Sequence, residues 1–248
     1  MDGFFSPLQN FPEYSGFNIG SPLHFAYLTY CAVLIVFLVM LYRHLPADST
    51  KHGARQKMLV IVSCCALGMK AIEAVIAIVE GVYYVAWWPL HSCDICLFLL
   101  VIYAFAHTDF VGEVLYCLGL PGALMGLVFA DWIKRSPDLN FFCICDFSEH
   151  ALVVAFVLML IVSGDFTPKL KSMWKPLVFT VVCASAARIF NGYFETNFWF
   201  VSNPSPGSPL VDLANMFGNP GYLAPFAFLV VCVWLCMYLP WEIARRRR

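Results

Sequence analysis

Cys93 is the residue whose surroundings most invite covalent chemistry. It stands in Trp87-Trp88-Pro89-Leu90-His91-Ser92-Cys93-Asp94-Ile95-Cys96-Leu97-Phe98, which carries a histidine, two cysteines and an aspartate into an apolar run ending at Ala106. Ionisable groups in a lipid-facing span are costly, so they normally face the bundle interior and mark a site. A thiolate attacks an ester carbonyl while a nearby imidazole takes the thiol proton and amide donors hold the oxyanion. His150, in Phe147-Ser148-Glu149-His150-Ala151-Leu152, and His91 are the candidate bases, with Asn191 and Asn197 as candidate amide donors. A blander reading stands beside this one. Buried cysteine packs as a small hydrophobe, and a histidine such as His150 can simply bond a neighbouring helix.

The same residues admit two rival chemistries. Cys93-Asp94-Ile95-Cys96 is a CxxC at a helix end, and Cys143-Ile144-Cys145 offers a second thiol pair. Two such pairs suit a membrane thiol oxidoreductase. His91, Cys93, Cys96 and His150 could also ligate a metal, although no second spaced ligand pair accompanies them.

The elements that must position these residues are membrane helices. The chain is 61% hydrophobic and 12% charged, against about 45–50% and about 25% in soluble domains. One globular core of this size cannot hide that excess, and the formal charge of -1 without a basic patch argues against a nucleic-acid partner. The first twenty residues lack a basic start followed by an apolar core, so the first span is expected to direct insertion. Seven stretches are long enough to cross ~30 Å of hydrocarbon: 23–41, 58–79, 88–106, 114–133, 141–162, 176–198 and 222–240. The expected fold is therefore all-α, one polytopic domain over residues 1–248, since only helices satisfy their own backbone in lipid without alternating strands.

Lys and Arg set the orientation. Arg43, Lys51, Arg55 and Lys57 follow the first span, Lys169, Lys171 and Lys175 follow the fifth, and Arg245 to Arg248 close the chain. These are eleven of the fifteen; Lys134 and Arg135 lie on the other side, and Lys70 and Arg188 within spans. The N-terminus is expected outside and the C-terminus in the cytoplasm. On that topology Cys93 lies about 8 Å and His150 about 14 Å below the outer end, at ~1.5 Å per residue. The outer half then collects His24, Glu73, His91, Cys93, Asp94, His150, Asn191, Glu195 and Asn197, as though around a polar cavity. Lys70 and Glu73 can pair at i, i+3, and Arg188, Asn191 and Glu195 form one stripe. Lys70, Glu73 and Arg188 are expected to form a buried charge network near the midplane. The seventh span has no lysine for a Schiff base, which argues against a retinal protein.

Pro89-Leu90-His91-Ser92-Cys93-Asp94, Gly119-Leu120-Pro121-Gly122-Ala123-Leu124, Glu149-His150-Ala151-Leu152 and the run from Arg188 to Asn197 occur in an order that resembles the YwaF family of bacterial integral membrane proteins, related to the eukaryotic transmembrane protein 164 acyltransferases. His24 and the closing Tyr238-Leu239-Pro240 fit as well. The resemblance implies a seven-helix fold in the bacterial plasma membrane and a cysteine-dependent lipid acyltransferase, with Cys93 as nucleophile and His150 as its partner. The family's Gly-x-Asn-Tyr on the sixth span reads Glu195-Thr196-Asn197-Phe198 here. The expected substrates are a membrane phospholipid and a lysophospholipid, or water as acceptor in a hydrolase, with His24, Asp94, Asn191, Glu195 and Asn197 near the lipid and His91 as a reserve base. No metal or cofactor is required. A non-enzymatic transporter or receptor is the remaining alternative.

Overall fold

Runs of apolar residues broken by Pro, Gly and short polar loops fold into helices packed side by side. The computed structural model describes residues 4–7, 17–47, 53–130, 133 and 139–247, and contains no strand among the described residues. Lys51, Lys134, Arg135 and Arg248 of the orientation argument, and residues 131–132 of the fourth expected span, lie outside them. α1 is Pro22–His44, α2 Ala54–Val79, and α3 Ser92–Ala106, which is apolar but only 15 residues long. α4 is Asp109–Val128, α5 Phe141–Val162 and α6 Trp174–Phe194. A short α7, Leu210–Phe217, precedes α8, Leu223–Arg246. Six of the eight, all but α3 and α7, are long and apolar enough to cross a membrane.

Several boundaries differ from the sequence expectation, among them the start of α2 at Ala54, the end of α4 at Val128 and the four that follow. The third span does not start helical at Trp88. Trp88 and His91 are extended (ψ 139° and 155°) and the helix begins at Ser92, because Pro89 disfavours helical backbone in the residue before it. α4 starts five residues early, at Asp109, where the Thr108 hydroxyl accepts the Val111 N–H. Residues Leu115–Gly119 then form a π turn, with the Leu120 N–H bonded to the Leu115 carbonyl. α6 stops at Phe194 with Glu195 left-handed (φ 55°), so residues 195–198 leave the span. α8 continues through Pro240 to Arg246. A proline is tolerated in a membrane helix when a neighbour satisfies the loosened turn, and here the Tyr116 hydroxyl donates to the Met237 carbonyl at 2.6 Å.

α5 is the centre of the bundle. Of its apolar window 78% is buried, against 17% for α1 and 11% for α6 and α8, and it packs on α1, α2, α3 and α4. The chain alternates between two ends. At one end His24 meets Leu127 and Leu90 meets Trp199. At the other, Asp165 receives the Tyr42 hydroxyl (2.7 Å) and Arg55 (2.8 Å). Buried Glu113 also sits at that second end, accepting the Tyr238 hydroxyl at 2.6 Å and the Lys169 N–H at 3.0 Å. Glu113 lies just outside the expected 114–133 span, and the earlier start of α4 brings it into the helix at that end.

Candidate functional site

Because α3 begins at Ser92, Cys93 is its second residue rather than its sixth. His91 is the N-cap and contributes no side-chain cap bond. The first N–H groups of a helix lack intrahelical acceptors and sit at the positive end of the macrodipole. Cys93 is half-buried and its thiol is free, as is that of fully buried Cys96.

His150 lies on α5 at the same end of the bundle. Its Nδ1–H donates to the Asp146 main-chain carbonyl at 2.7 Å, since a carbonyl can only accept. A proton on Nδ1 for that bond makes Nε2 the basic nitrogen of the neutral ring. The Cδ2–Nε2 edge of the ring lies against α4 at Gly126: a Cβ there would meet His150 Cδ2 at 2.4 Å and Nε2 at 2.5 Å. Beside it is a shallow depression with no room for a water molecule, lined by Leu127, Ala130, Ile133 and Phe147 together with Asp146. The surroundings of His150 are mostly apolar, where the sequence suggested a polar cavity.

Lys70 joins these two places. Its ammonium lies 2.9 Å from Glu73 Oε2, 3.1 Å from Glu149 Oε2 and 3.5 Å from Asp94 Oδ1. All three carboxylates belong to residues no more than 8% exposed. The expected Lys70–Glu73 pair is present, but Arg188 is not part of it. Arg188 is exposed on α6 and donates to Ser202 Oγ at 3.1 Å. Lys70 is also not remote from Cys93, since it pairs with the next residue. Adjacent Asp94 and Glu149 could be seen in the sequence, but nothing there showed that one lysine reaches both.

The remaining candidates form supports around this pair. His24 Nε2–H donates to the Leu127 carbonyl at 2.9 Å while Nδ1 accepts the Gly20 N–H at 3.0 Å. It therefore holds α1 to the turn of α4 that presses on His150. Asn191, 3% exposed, donates to the Phe198 carbonyl (3.0 Å) and Ser202 Oγ (3.1 Å). Its Oδ1 accepts the Phe198 N–H and the Thr196 hydroxyl, both at 2.9 Å. Asn197 donates to the Asn203 carbonyl and accepts the Ser202 and Asn203 N–H groups. Both amides are thus engaged in shaping the loop after α6. That loop sets Phe198 and Phe200 against the His91 ring, centroids 4.9 and 5.4 Å away, and Trp199 donates to the Leu90 carbonyl at 2.9 Å. Glu195, at the left-handed end of α6, is exposed. Among the described residues no group of three or more His, Cys, Asp or Glu is arranged to hold a metal ion.

A family model described as the TMEM164 family matches residues 19–238, a range that takes in every residue of this site. No curated protein and no solved structure matches the chain.

Proposed function

The chain belongs to the TMEM164 family, and from that premise we propose a cysteine-dependent acyltransferase that moves a fatty acyl chain from a membrane phospholipid to a lysophospholipid. Cys93 Sγ attacks the ester carbonyl as His150 Nε2 takes the thiol proton. The oxyanion is held by the N–H groups of the first turn of α3, which suit the role better than Asn191 and Asn197, whose amides shape the loop. Collapse expels the lysophospholipid alkoxide, which receives the proton from His150, and leaves an acyl-Cys93 thioester. The hydroxyl of a second lysophospholipid then gives its proton to His150 and attacks the thioester, releasing Cys93. Water in that second step would make the enzyme a hydrolase. No cofactor enters this sequence.

The observation that carries the reading is the Lys70 ammonium, which lies 3.5 Å from Asp94, the residue after Cys93, and 3.1 Å from Glu149, the residue before His150, together with Cys93 in an uncapped first helical turn. His91, two residues before Cys93 and held by Phe198 and Phe200, is the second candidate base. Asp94 acts through Lys70, His24 through Leu127, and Glu195 faces the head groups from the end of α6. Alternation of the six long helices and the shorter α3 between the two ends supports seven spans over one domain. The proposal extends to a YwaF-type bacterial member in the plasma membrane, N-terminus outside.

The test is transfer in vesicles containing a labelled phospholipid and a lysophospholipid, with mass analysis of Cys93. Wild type should carry a hydroxylamine-sensitive acyl group on Cys93. Cys93→Ser should lose both the adduct and turnover, Cys96→Ser should keep them, and His150→Ala should lower kcat by about 10²–10⁴-fold. A Cys93–Cys96 disulfide, with loss of function in either single mutant, would turn the assignment to thiol oxidoreduction.

A further inference from the structure

We infer that Lys70 is a positioning residue that ties the helix of the nucleophile to the helix of the base. Its kinetic consequence rests on the acyl-transfer reading above, while its structural consequence does not. Lys70 projects from α2 and reaches Asp94 on α3 and Glu149 on α5, at 3.5 and 3.1 Å. Asp94 directly follows Cys93, and Glu149 directly precedes His150. Consecutive Cα atoms are held about 3.8 Å apart by the peptide bond. Fixing the two carboxylates to one ammonium therefore fixes the backbone of both reacting residues relative to each other.

The third carboxylate does something different. Glu73 is on the same helix as Lys70, at i, i+3, so its bond joins no two helices. Glu149 depends on the tie more strongly than its partners do. Its Oε1 is buried and makes no hydrogen bond, so the bond from Lys70 to Oε2 is the polar contact that anchors this carboxyl. Little water reaches the cluster to screen it, and buried pairs keep their strength where exposed ones lose it. Two carboxylates with the same partner, one tying helices and one not, make the inference separable from a general effect of removing charge.

The experiment compares Glu149→Met with Glu73→Met in the full-length protein reconstituted in nanodiscs. Either change leaves Lys70 two carboxylates, so neither strands the ammonium. The first readout is the rate of Cys93 alkylation by N-ethylmaleimide, followed at the peptide level by mass spectrometry. The second is kcat and KM for acyl transfer. Glu149→Met should speed alkylation several-fold and lower kcat by at least about tenfold with KM unchanged, as expected when reacting groups are misplaced. Glu73→Met should leave both readouts close to wild type. If Glu149→Met does not accumulate, Glu149→Asp, which keeps the charge and shortens the arm, should move alkylation in the same direction. Equal effects of the Glu73 and Glu149 changes, or alkylation indifferent to both, overturn the inference. Alkylation that separates the two variants while turnover survives Cys93→Ser overturns the acyl-transfer reading and leaves the tie in place.

Discussion

At the scale of single residues, Gly126 has the sharpest consequence. The His150 ring occupies the place where its side chain would be, at 2.4 and 2.5 Å from an added Cβ. Gly126→Ala must push the ring off its seat, while alanine itself favours the helix by ~1 kcal/mol over glycine. We expect kcat to fall by about 10²-fold, the usual result of an ångström-scale misplacement, with KM and melting temperature little changed. A steady-state kinetic split together with a detergent melt checks this. Asn191 predicts the opposite pattern. Asn191→Ala deprives the buried Phe198 N–H and carbonyl of their partners, at ~1–3 kcal/mol for each orphaned group. Stability should drop measurably in a denaturant titration, and limited proteolysis should cut within 195–203. Cys93, His150 and the Lys70–Glu73 pair were legible because polar residues in apolar runs are conspicuous. Gly126 was not, because a glycine in a membrane helix looks like ordinary close packing until the ring beside it is seen.

At the scale of elements, length and apolar content placed the helices, and local chemistry moved their ends. The expected 141–162 matches Phe141–Val162 because Asn140 caps it, its side chain accepting the Phe142 N–H at 2.9 Å. The third span lost its first turn to Pro89, and with it the depth assigned to Cys93. Hydropathy carries no signal for the π turn at Leu115–Gly119, an extra residue that sets Gly119 against Cys96. Such turns recur at functional sites. Pro121, just beyond it, lacks the N–H a regular helix would use. Pro121→Ala should let α4 tighten into a plain α-helix and rotate Gly126 away from His150. Turnover should then fall while the protein still inserts, which assay and membrane yield together would record.

At the scale of the whole molecule, the proposed seven-span topology predicts Arg245 and its neighbours in the cytoplasm, and a C-terminal reporter that is active only there would check it. The central position of α5 has a temporal consequence as well. Translation delivers the chain from its N-terminus, and 79 residues separate Lys70 from Glu149. At ~5–20 residues per second, α2 waits about 4–16 s before its partner on α5 exists. Through that interval Lys70 stands in the bilayer with Glu73 on its own helix at 2.9 Å. A lone lysine at the centre of an inserting helix costs ~2.5–3.5 kcal/mol. Glu73 is thus a travelling companion for the nascent chain, present for the passage into the membrane and superfluous to the finished tie.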